Sequence, residues 1–248
     1  MLNGYKLAGL TDEEYRAMLD GYNMQSSEVL HTSLKATSFR YGNVTDVRPS
    51  IDWRQKGAVT PIKDQGSCGC SWAFSVVAAV EGINQLKTSN LTSLSEQELV
   101  DCGTKDQGCK GGLMDNAFQF GMGGTCNPKK IVDHSATITS YEVSYVLAQI
   151  RAFKDVLAND EKALLQALAN QPVVVAIDAG EGAFHFYSSG IFTSKCGTSL
   201  DHGVTVVGYG IDTNRTKYWL GGYIRMQRDI VAKEGLCGIA MKASYPTT

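Results

Sequence analysis

The sequence has no long apolar run and no excess of either charge. None of its apolar runs approaches the roughly 20 residues that a membrane-spanning helix needs. The 23 basic and 25 acidic residues are intermixed and leave a formal net charge of −2. Because nucleic acids and anionic membranes attract concentrated positive charge, we expect neither as a partner.

No secretory leader is visible in the given sequence, since Met1 is not followed by a basic segment and an apolar block. Yet the 248 residues include seven cysteines, a number that indicates disulfides and an oxidising compartment. Asn-x-Thr sequons at Asn43, Asn90 and Asn214 point the same way, with little weight because such triplets are common by chance. We therefore expect a secretory protein whose given N-terminus is incomplete.

Residues 65–75 are the part of the chain around which the rest is organised. They read Gln-Gly-Ser-Cys-Gly-Cys-Ser-Trp-Ala-Phe-Ser, a glycine-rich loop that runs into a helical pattern. Apolar residues then recur every three or four positions, which predicts a helix over about 71–86 with one buried face; they are Trp72, Val76, Val80 and Ile83. The loop thus delivers Cys70 and Ser71 to a helix N-terminus, where unpaired N–H groups and the helix dipole favour negative charge. A cysteine loses its proton readily at such a position and becomes a nucleophile.

This stretch resembles the active-site loop of papain-like cysteine proteases, which reads Gln-Gly-x-Cys-Gly-Ser-Cys-Trp-Ala-Phe. The family's Ser-Cys pair is inverted here, so Ser71 holds the nucleophile's position and Cys70 comes one residue early. Successive residues differ by roughly 100° around a helix axis, so the two side chains cannot aim at one point. The less regular backbone of a helix start still leaves Cys70 within reach of the site, and both residues remain candidates for the nucleophile.

The resemblance covers most of the chain, and the matching motifs are most similar to those of plant senescence-type members. Further matching blocks are residues 95–102, 108–114, 200–204 and 235–240. It implies an α+β fold of two lobes, with a helical lobe over about 60–155, an antiparallel β-barrel-like lobe over about 156–248 and the active site in the cleft between them. It also implies that residues 1–46 are a propeptide remnant or linker ahead of a peptidase domain at 47–248. A disordered tail is the alternative for the N-terminal part.

The order of local patterns independently favours α+β, with helices early in the chain and strands late. Further helices are predicted from Ser95, where Ser95 and Glu98 form a capping box, and over residues 113–120 and 160–170. Strands are predicted over residues 173–179, 203–209 and 217–226. Residues 143–154 match nothing in the family and are expected to form either an extra amphipathic helix or an ill-packed loop.

By resemblance, His202 and Gln65 are the other catalytic residues. A thiol protease needs a base that holds the thiolate and protonates the leaving amine, and His202 matches the family histidine at the start of a strand. His31, His134 and His185 lack such a setting and are interpreted as ordinary histidines. The Gln65 amide and the backbone N–H of residue 71 would stabilise the oxyanion. The alternative for Gln65 is a loop side chain that faces solvent.

The resemblance also implies where a substrate binds. Gly111 and Gly112 match the strip that hydrogen-bonds the substrate backbone, where a side chain would obstruct approach. The main specificity pocket is expected to be lined by Met114, Ala176, Leu200 and Lys242. Lys242 either favours an acidic side chain from the pocket floor or extends into solvent.

The disulfides implied by the resemblance leave one cysteine over. They are Cys68–Cys109, Cys102–Cys126 and Cys196–Cys237. The remaining Cys70 is either the free thiol of the active-site loop, an inert buried thiol or part of a metal site with Cys68. Because a Cys-x-Cys pair without a second pair is weak evidence for metal, we expect neither a metal nor a cofactor.

One catalytic part of the family is missing. After Leu220 the family continues through an Asn-Ser-Trp-Gly block, whereas here Gly221 and Gly222 follow at once. The asparagine that orients the histidine is therefore absent, and nothing indicates that Asn214 replaces it. Losing such an orienting group can lower the rate by orders of magnitude.

Three hypotheses remain open. The first is an endopeptidase that forms an acyl-enzyme on Cys70 or Ser71; the second is a non-catalytic homologue that binds peptides or inhibitors in the cleft. The third is a faulty gene model of an active protease. It would account for the inverted pair, the missing Asn-Ser-Trp-Gly block, a connection between Phe120 and Cys126 that is shorter than in the family, and the unmatched residues 143–154. The resemblance implies peptide substrates, cystatin-like inhibitors, a monomeric state, and a vacuolar, lysosomal or extracellular location.

Overall fold

The computed structural model describes residues 21–22, 39–124, 126, 150–180, 182–221 and 224–248. Five α-helices lie in these ranges: α1 Ser71–Thr88, α2 Glu96–Cys102, α3 Met114–Gly121, α4 Glu161–Leu168 and α5 Gly182–His185. Short 3₁₀ turns cover Gly108–Lys110 and Leu236–Gly238. Within the described ranges, none of the helices is both apolar and long enough for a membrane span.

Local signals set the helix boundaries. The hydroxyl of Ser95 accepts a hydrogen bond from the backbone N–H of Glu98 at 3.4 Å, so the predicted N-cap of α2 is confirmed. The carboxylate of Asp160 caps α4 in the same way, accepting from the N–H of Ala163 at 2.9 Å. Helix α1 differs, because its cap residue Cys70 makes no side-chain capping bond.

The strands form one mixed sheet, which among the described residues has eight members. They are β1 Ile51–Asp52, β2 Ala152–Asp155, β3 Val173–Ile177, β4 Ile191–Phe192, β5 His202–Ile211, β6 Lys217–Gly221, β7 Ile224–Gln227 and β8 Ala243–Thr247. The order is β2-β8-β3-β5-β6-β7-β4, and β1 pairs with β5. Every pairing is antiparallel except that of β4 with β7.

Two sequence predictions need correction. Residues 217–226 are not one strand run: β6 and β7 are separate antiparallel strands, with Gly221 paired to Ile224. The end of the unmatched segment is neither helix nor loose loop, because β2 pairs with β8 and Phe153 stacks on Phe118 at 5.3 Å between ring centroids. A strand that pairs with a partner some 90 residues away has little local signal. The rest of that segment, residues 143–149, lies outside the described residues, as do His31 and His134.

The buried side chains form two clusters, and α1 lies where they meet. One cluster surrounds α1, α2 and α3 and contains the predicted face of α1, with Trp72, Val76 and Val80 fully buried. The other packs α4 against the sheet around Leu168 and Trp219. Helix α1 is joined to β5, since the hydroxyl of Thr205 donates to the Ser75 carbonyl at 2.8 Å. The start of α1 and the start of β5 therefore meet at one place.

Candidate active site

Ser71 and the first residues of β5 form the centre of the site. The Ser71 hydroxyl, 1 % exposed, accepts a hydrogen bond from the backbone N–H of Gly203 at 3.1 Å. A Cβ on Gly203 would come within 3.1 Å of the Ser75 hydroxyl and 3.3 Å of the Ser71 carbonyl, so glycine allows this close approach. Because Gly203 directly follows His202, the packing brings the Ser71 hydroxyl beside the backbone of the candidate base.

Cys70 lies elsewhere. It is fully buried, and it belongs to the cluster of apolar side chains around α1. Burial, and then the negative charge of Glu96, raise the pKa of the Cys70 thiol to about 12. Desolvation therefore outweighs the helix N-terminus, which would lower the pKa of an exposed cysteine. Of the two candidate nucleophiles, the structure brings Ser71 and not Cys70 against β5.

The carboxylate near Cys70 belongs to a buried ion-pair network. The ammonium of Lys63 contacts Glu96 at 2.6 Å and Glu81 at 2.7 Å, and both carboxylate side chains are almost fully buried. Burial raises the pKa of Glu96 to about 7 against the lowering effect of Lys63. Sequence reasoning missed this network, because the three residues are far apart in the chain and each type is ordinarily exposed.

Gln65 is half-buried, and its side-chain amide donates to the Cys68 carbonyl at 2.9 Å. The bond fixes the amide within its own loop. An oxyanion stabiliser must present a donor toward the cleft at the position where charge develops. Here one N–H of Gln65 is already used inside the loop.

Gly112 and Asp201 bind two residues from the N-terminal part of the chain, Gly21 and Tyr22. The N–H of Gly112 donates to the Gly21 carbonyl at 3.0 Å, and the N–H of Tyr22 donates to the Asp201 carbonyl at 3.1 Å. Tyr22 and Gly112 form a parallel β-bridge. Backbone groups from both walls of the cleft therefore bind backbone groups of Gly21 and Tyr22, here called the crossing segment, which is how an extended peptide is recognised independently of its side chains.

Two glycines allow the segment to lie so close. A Cβ on Gly112 would come within 2.7 Å of the Trp72 indole, which is fully buried beneath it. A Cβ on Gly21 would come within 2.6 Å of the Gly69 carbonyl and 2.7 Å of the Ser71 backbone nitrogen. Gly21 thus lies directly over the start of α1. Its contact with the cleft was not predicted, because Gly-Tyr in a polar segment is not a distinctive signal.

Three of the four residues that are predicted to line the specificity pocket are apolar and buried. Met114, Ala176 and Leu200 are at most 4 % exposed and belong to the same buried cluster as Tyr22. Lys242 is half-buried.

An acidic residue that sequence reasoning missed lies close to this pocket. Burial and the charge of Asp155 raise the pKa of Asp115 to about 7, while Lys242 acts in the opposite direction. Asp155 ends β2, the strand that was not predicted. The positive charge of Lys242 is therefore opposed by carboxylates nearby.

Asn214 does not take the place of the missing asparagine. It lies exposed in the turn between β5 and β6, whereas His202 is the first residue of β5. A strand of 10 residues spans about 33 Å, so the two residues are at opposite ends of the sheet. In the part of the chain that the structure describes, no three His, Cys, Asp or Glu side chains are grouped as a metal site.

The disulfides connect the loops around this site. They join Cys68 to Cys109, Cys102 to Cys126 and Cys196 to Cys237, the pairs that the resemblance implies. The first ties the loop before α1, over which Gly21 lies, to the loop before Gly112. Cys70 is the free cysteine.

Comparison with known proteins agrees with this geometry. The model of the papain family of cysteine proteases matches residues 47–247. The chain belongs to this family. It is 48% identical over 271 residues to the senescence-specific cysteine protease SAG12 of Arabidopsis thaliana, covering 98% of this chain and 75% of the relative. Vignain of Ricinus communis is 50% identical over 260 residues, covering 97% of this chain and 72% of the relative.

Solved structures show the same fold. The proform of the ragweed pollen cysteine protease Amb a 11 superposes with a TM-score of 0.85 at 37% identity, covering 98% of this chain and 80% of that one. Bromelain from Ananas comosus, in complex with the E64 inhibitor, gives a TM-score of 0.71 at 41% identity, covering 81% of this chain and 99% of that one. The chain thus has the two-lobed α+β papain-like fold, and by family it is a plant-type cysteine endopeptidase.

Proposed function

We propose that this papain-family chain recognises extended peptides in its cleft and that its own hydrolytic activity is far below that of a thiol peptidase. The contact between the Ser71 hydroxyl and the Gly203 N–H, at 3.1 Å, carries the proposal. It supports Ser71 as the residue at the nucleophile's position. The buried location of Cys70 supports the inert-thiol alternative for that cysteine.

A serine at this position is a poor substitute for a cysteine. Its hydroxyl stays protonated near neutral pH and needs a well-oriented base to take the proton. His202 is the first residue of β5, at the end of the strand that meets Ser71, but the asparagine block that would orient its ring is absent from the sequence. Loss of the family's orienting asparagine is expected to lower the rate at which a hydroxyl is activated.

Peptide binding requires none of these missing parts. Gly112 and Asp201 supply a donor and an acceptor for a peptide backbone, and both are occupied by Gly21 and Tyr22. Met114, Ala176 and Leu200, which belong to the same buried cluster as Tyr22, would together with Lys242 receive a peptide side chain. We accordingly propose that residues 1–46 act as a cleft-covering propeptide remnant and that 47–248 are the peptidase domain. A displaced N-terminal segment would expose the site to added peptides or inhibitors of the cystatin type.

We also propose that the chain works as a monomer in the vacuole, the lysosome or the extracellular space. The three disulfides support a compartment that is oxidising enough to form them.

The test compares the chain with variants at positions 70 and 71. Hydrolysis of fluorogenic dipeptides is measured after acid treatment under mild reduction, and peptide binding is measured by fluorescence anisotropy. The double variant Cys70→Ser/Ser71→Cys restores the family order, and Cys70→Ala is the matched control. We expect the wild type and Cys70→Ala to bind peptides alike with little hydrolysis, and the double variant to gain activity.

Hydrolysis by the wild type that is lost in Cys70→Ala would overturn the proposal, because the displaced thiol would then be the nucleophile. Absence of peptide binding in folded wild-type protein, with its N-terminal segment released, would overturn the binding part separately.

A further inference from the structure

Asn90 heads a sequon, Asn90-Leu91-Thr92, that the cleft does not use. We propose that Asn90 is an N-glycosylation site, which accepts an oligosaccharide from a lipid-linked donor during entry into the secretory pathway. The inference rests on the secretory location proposed above and not on the chemistry of the cleft.

The turn after α1 presents the Asn90 side chain to solvent. Helix α1 ends at Thr88, the cap residue Ser89 reverses the chain with a φ of 60°, and Asn90 follows in an exposed position. The backbone N–H of Asn90 donates to the Thr88 hydroxyl at 3.2 Å, and its carbonyl accepts from the Asn84 amide at 3.1 Å. Both backbone groups are satisfied by residues at most six positions away, so this turn can form before the fold is complete.

The two atoms that the sequon chemistry needs are adjacent. The Asn90 Nδ2 lies 3.3 Å from the Thr92 Oγ1. In the transfer step a bond forms between Nδ2 and the anomeric carbon of the donor sugar, while the bond from that carbon to the lipid pyrophosphate breaks. The pyrophosphate leaves with the electron pair, and the amide nitrogen loses one proton. The threonine hydroxyl is therefore placed where it can contact the reacting amide.

The site lies far from the cleft. Ser71 and Asn90 flank opposite ends of α1, and a helix of 18 residues is about 27 Å long. A bulky, solvated oligosaccharide at Asn90 would thus leave the crossing segment and the pocket uncovered.

The other two sequons are in different settings. The carbonyl of Val44, next to Asn43, accepts from Gln166 at 2.7 Å, a contact that forms only when distant parts of the chain fold together. Asn43 also precedes residue 47, so its glycan would be lost with the N-terminal segment. Asn214 is also exposed, in a turn where the Asp212 carboxylate accepts from the backbone N–H groups of Asn214 and Thr216. Among the described residues, however, no hydrogen bond joins the Asn214 side-chain amide to the Thr216 hydroxyl, as one joins Asn90 to Thr92. We therefore assign Asn90 as the site that the mature domain carries.

The experiment translates the full chain, behind a cleavable secretion signal, in the presence of microsomes. Protection from added protease reports entry, and endoglycosidase-sensitive mobility reports glycosylation, so a chain that fails to enter is distinguished from one that enters and is not modified. Trypsin releases residues 88–105 as one peptide that contains Asn90 and no other sequon. The variants are Asn90→Gln and Thr92→Ala, with Thr92→Ser as the conservative control that retains a hydroxyl.

We expect the 88–105 glycopeptide from the wild type and from Thr92→Ser, and its complete loss in Asn90→Gln and Thr92→Ala. Protease-protected wild-type chain whose 88–105 peptide is mainly unmodified would overturn the assignment. So would a chain that enters the microsomes and carries its glycans at Asn43 or Asn214 alone. Peptide binding that is blocked by the Asn90 glycan would refute the placement of this site away from the cleft.

Discussion

The reactivity of Cys70 provides the most direct test of how the active-site inversion affects the chain. Cys70 is fully buried and its thiol has a pKa of about 12 instead of the ordinary 9. A shift of about three pKa units lowers the thiolate fraction near neutral pH about a thousandfold. Since the thiolate is the reactive species, alkylation in the folded state should slow by about that factor or more, because access also requires local opening.

The assay is alkylation by iodoacetamide at neutral pH, followed by mass spectrometry over time. The other six cysteines form disulfides, so the folded chain presents a single thiol and the reading is unambiguous. Under non-reducing denaturing conditions Cys70 should react at the rate of a free cysteine, which serves as the internal reference. The double variant Cys70→Ser/Ser71→Cys should react quickly without denaturant once the N-terminal segment is displaced.

Rapid alkylation of Cys70 in the folded wild type would refute this reasoning. Labelling of native Cys70 by a thiol-directed epoxide, at a rate similar to that of the double variant, would be equally decisive. Either result would mean that the side chain turns out of the helical cluster and reaches the cleft.

Three further predictions follow from the packing and charge of the site. The pKa of Glu96 is about 7 in the folded protein and ordinarily near 4.5. The protonated carboxyl therefore contributes stability that is fully present below pH 4.5 and is lost as the pH rises through 7. The free energy of unfolding should fall by at most about 3 kcal/mol over this range. Urea unfolding at a series of pH values should show this loss and a smaller one in Glu96→Gln, with Asp115 supplying the remainder; an unchanged pH profile in the variant would contradict it. Gly112→Ala places a Cβ 2.7 Å from the buried Trp72 ring and should destabilise the fold by about 1–3 kcal/mol in urea unfolding, whereas Gly42→Ala, with its nearest neighbour at 3.6 Å, should be nearly neutral. Gly21→Ala should displace the segment over Ser71 and raise the affinity for an added peptide, measured by anisotropy; equal affinity in both proteins would show that the segment does not compete for the cleft.

Much of the fold could be predicted from short stretches of sequence. The apolar spacing of α1, the cap at Ser95 and the Asp160 start of α4 are local patterns, and each has a local physical cause in side-chain burial or a capping bond. Membership of a papain-like family was predicted because the loop, histidine and cysteine blocks are long and specific motifs.

Other features depended on partners that lie far away in the chain. Strand β2 forms by pairing with the edge of β8. That pairing also places Asp155 of β2 close enough to raise the pKa of Asp115. The position of Gly21 and Tyr22 depends on backbone groups of Gly112 and Asp201, which local sequence cannot bring together.

The inverted pair shows most clearly what sequence and tertiary structure each decided. From the sequence alone, Cys70 and Ser71 must point in different directions, because neighbouring residues at a helix start are separated by roughly 100° of rotation. Which of them faces β5 was decided only when α1 packed between its helical neighbours and the sheet. That packing buries the Cys70 thiol near Glu96 of α2 and places the Ser71 hydroxyl against Gly203 of β5. The two side chains differ in environment because they point toward different neighbouring elements.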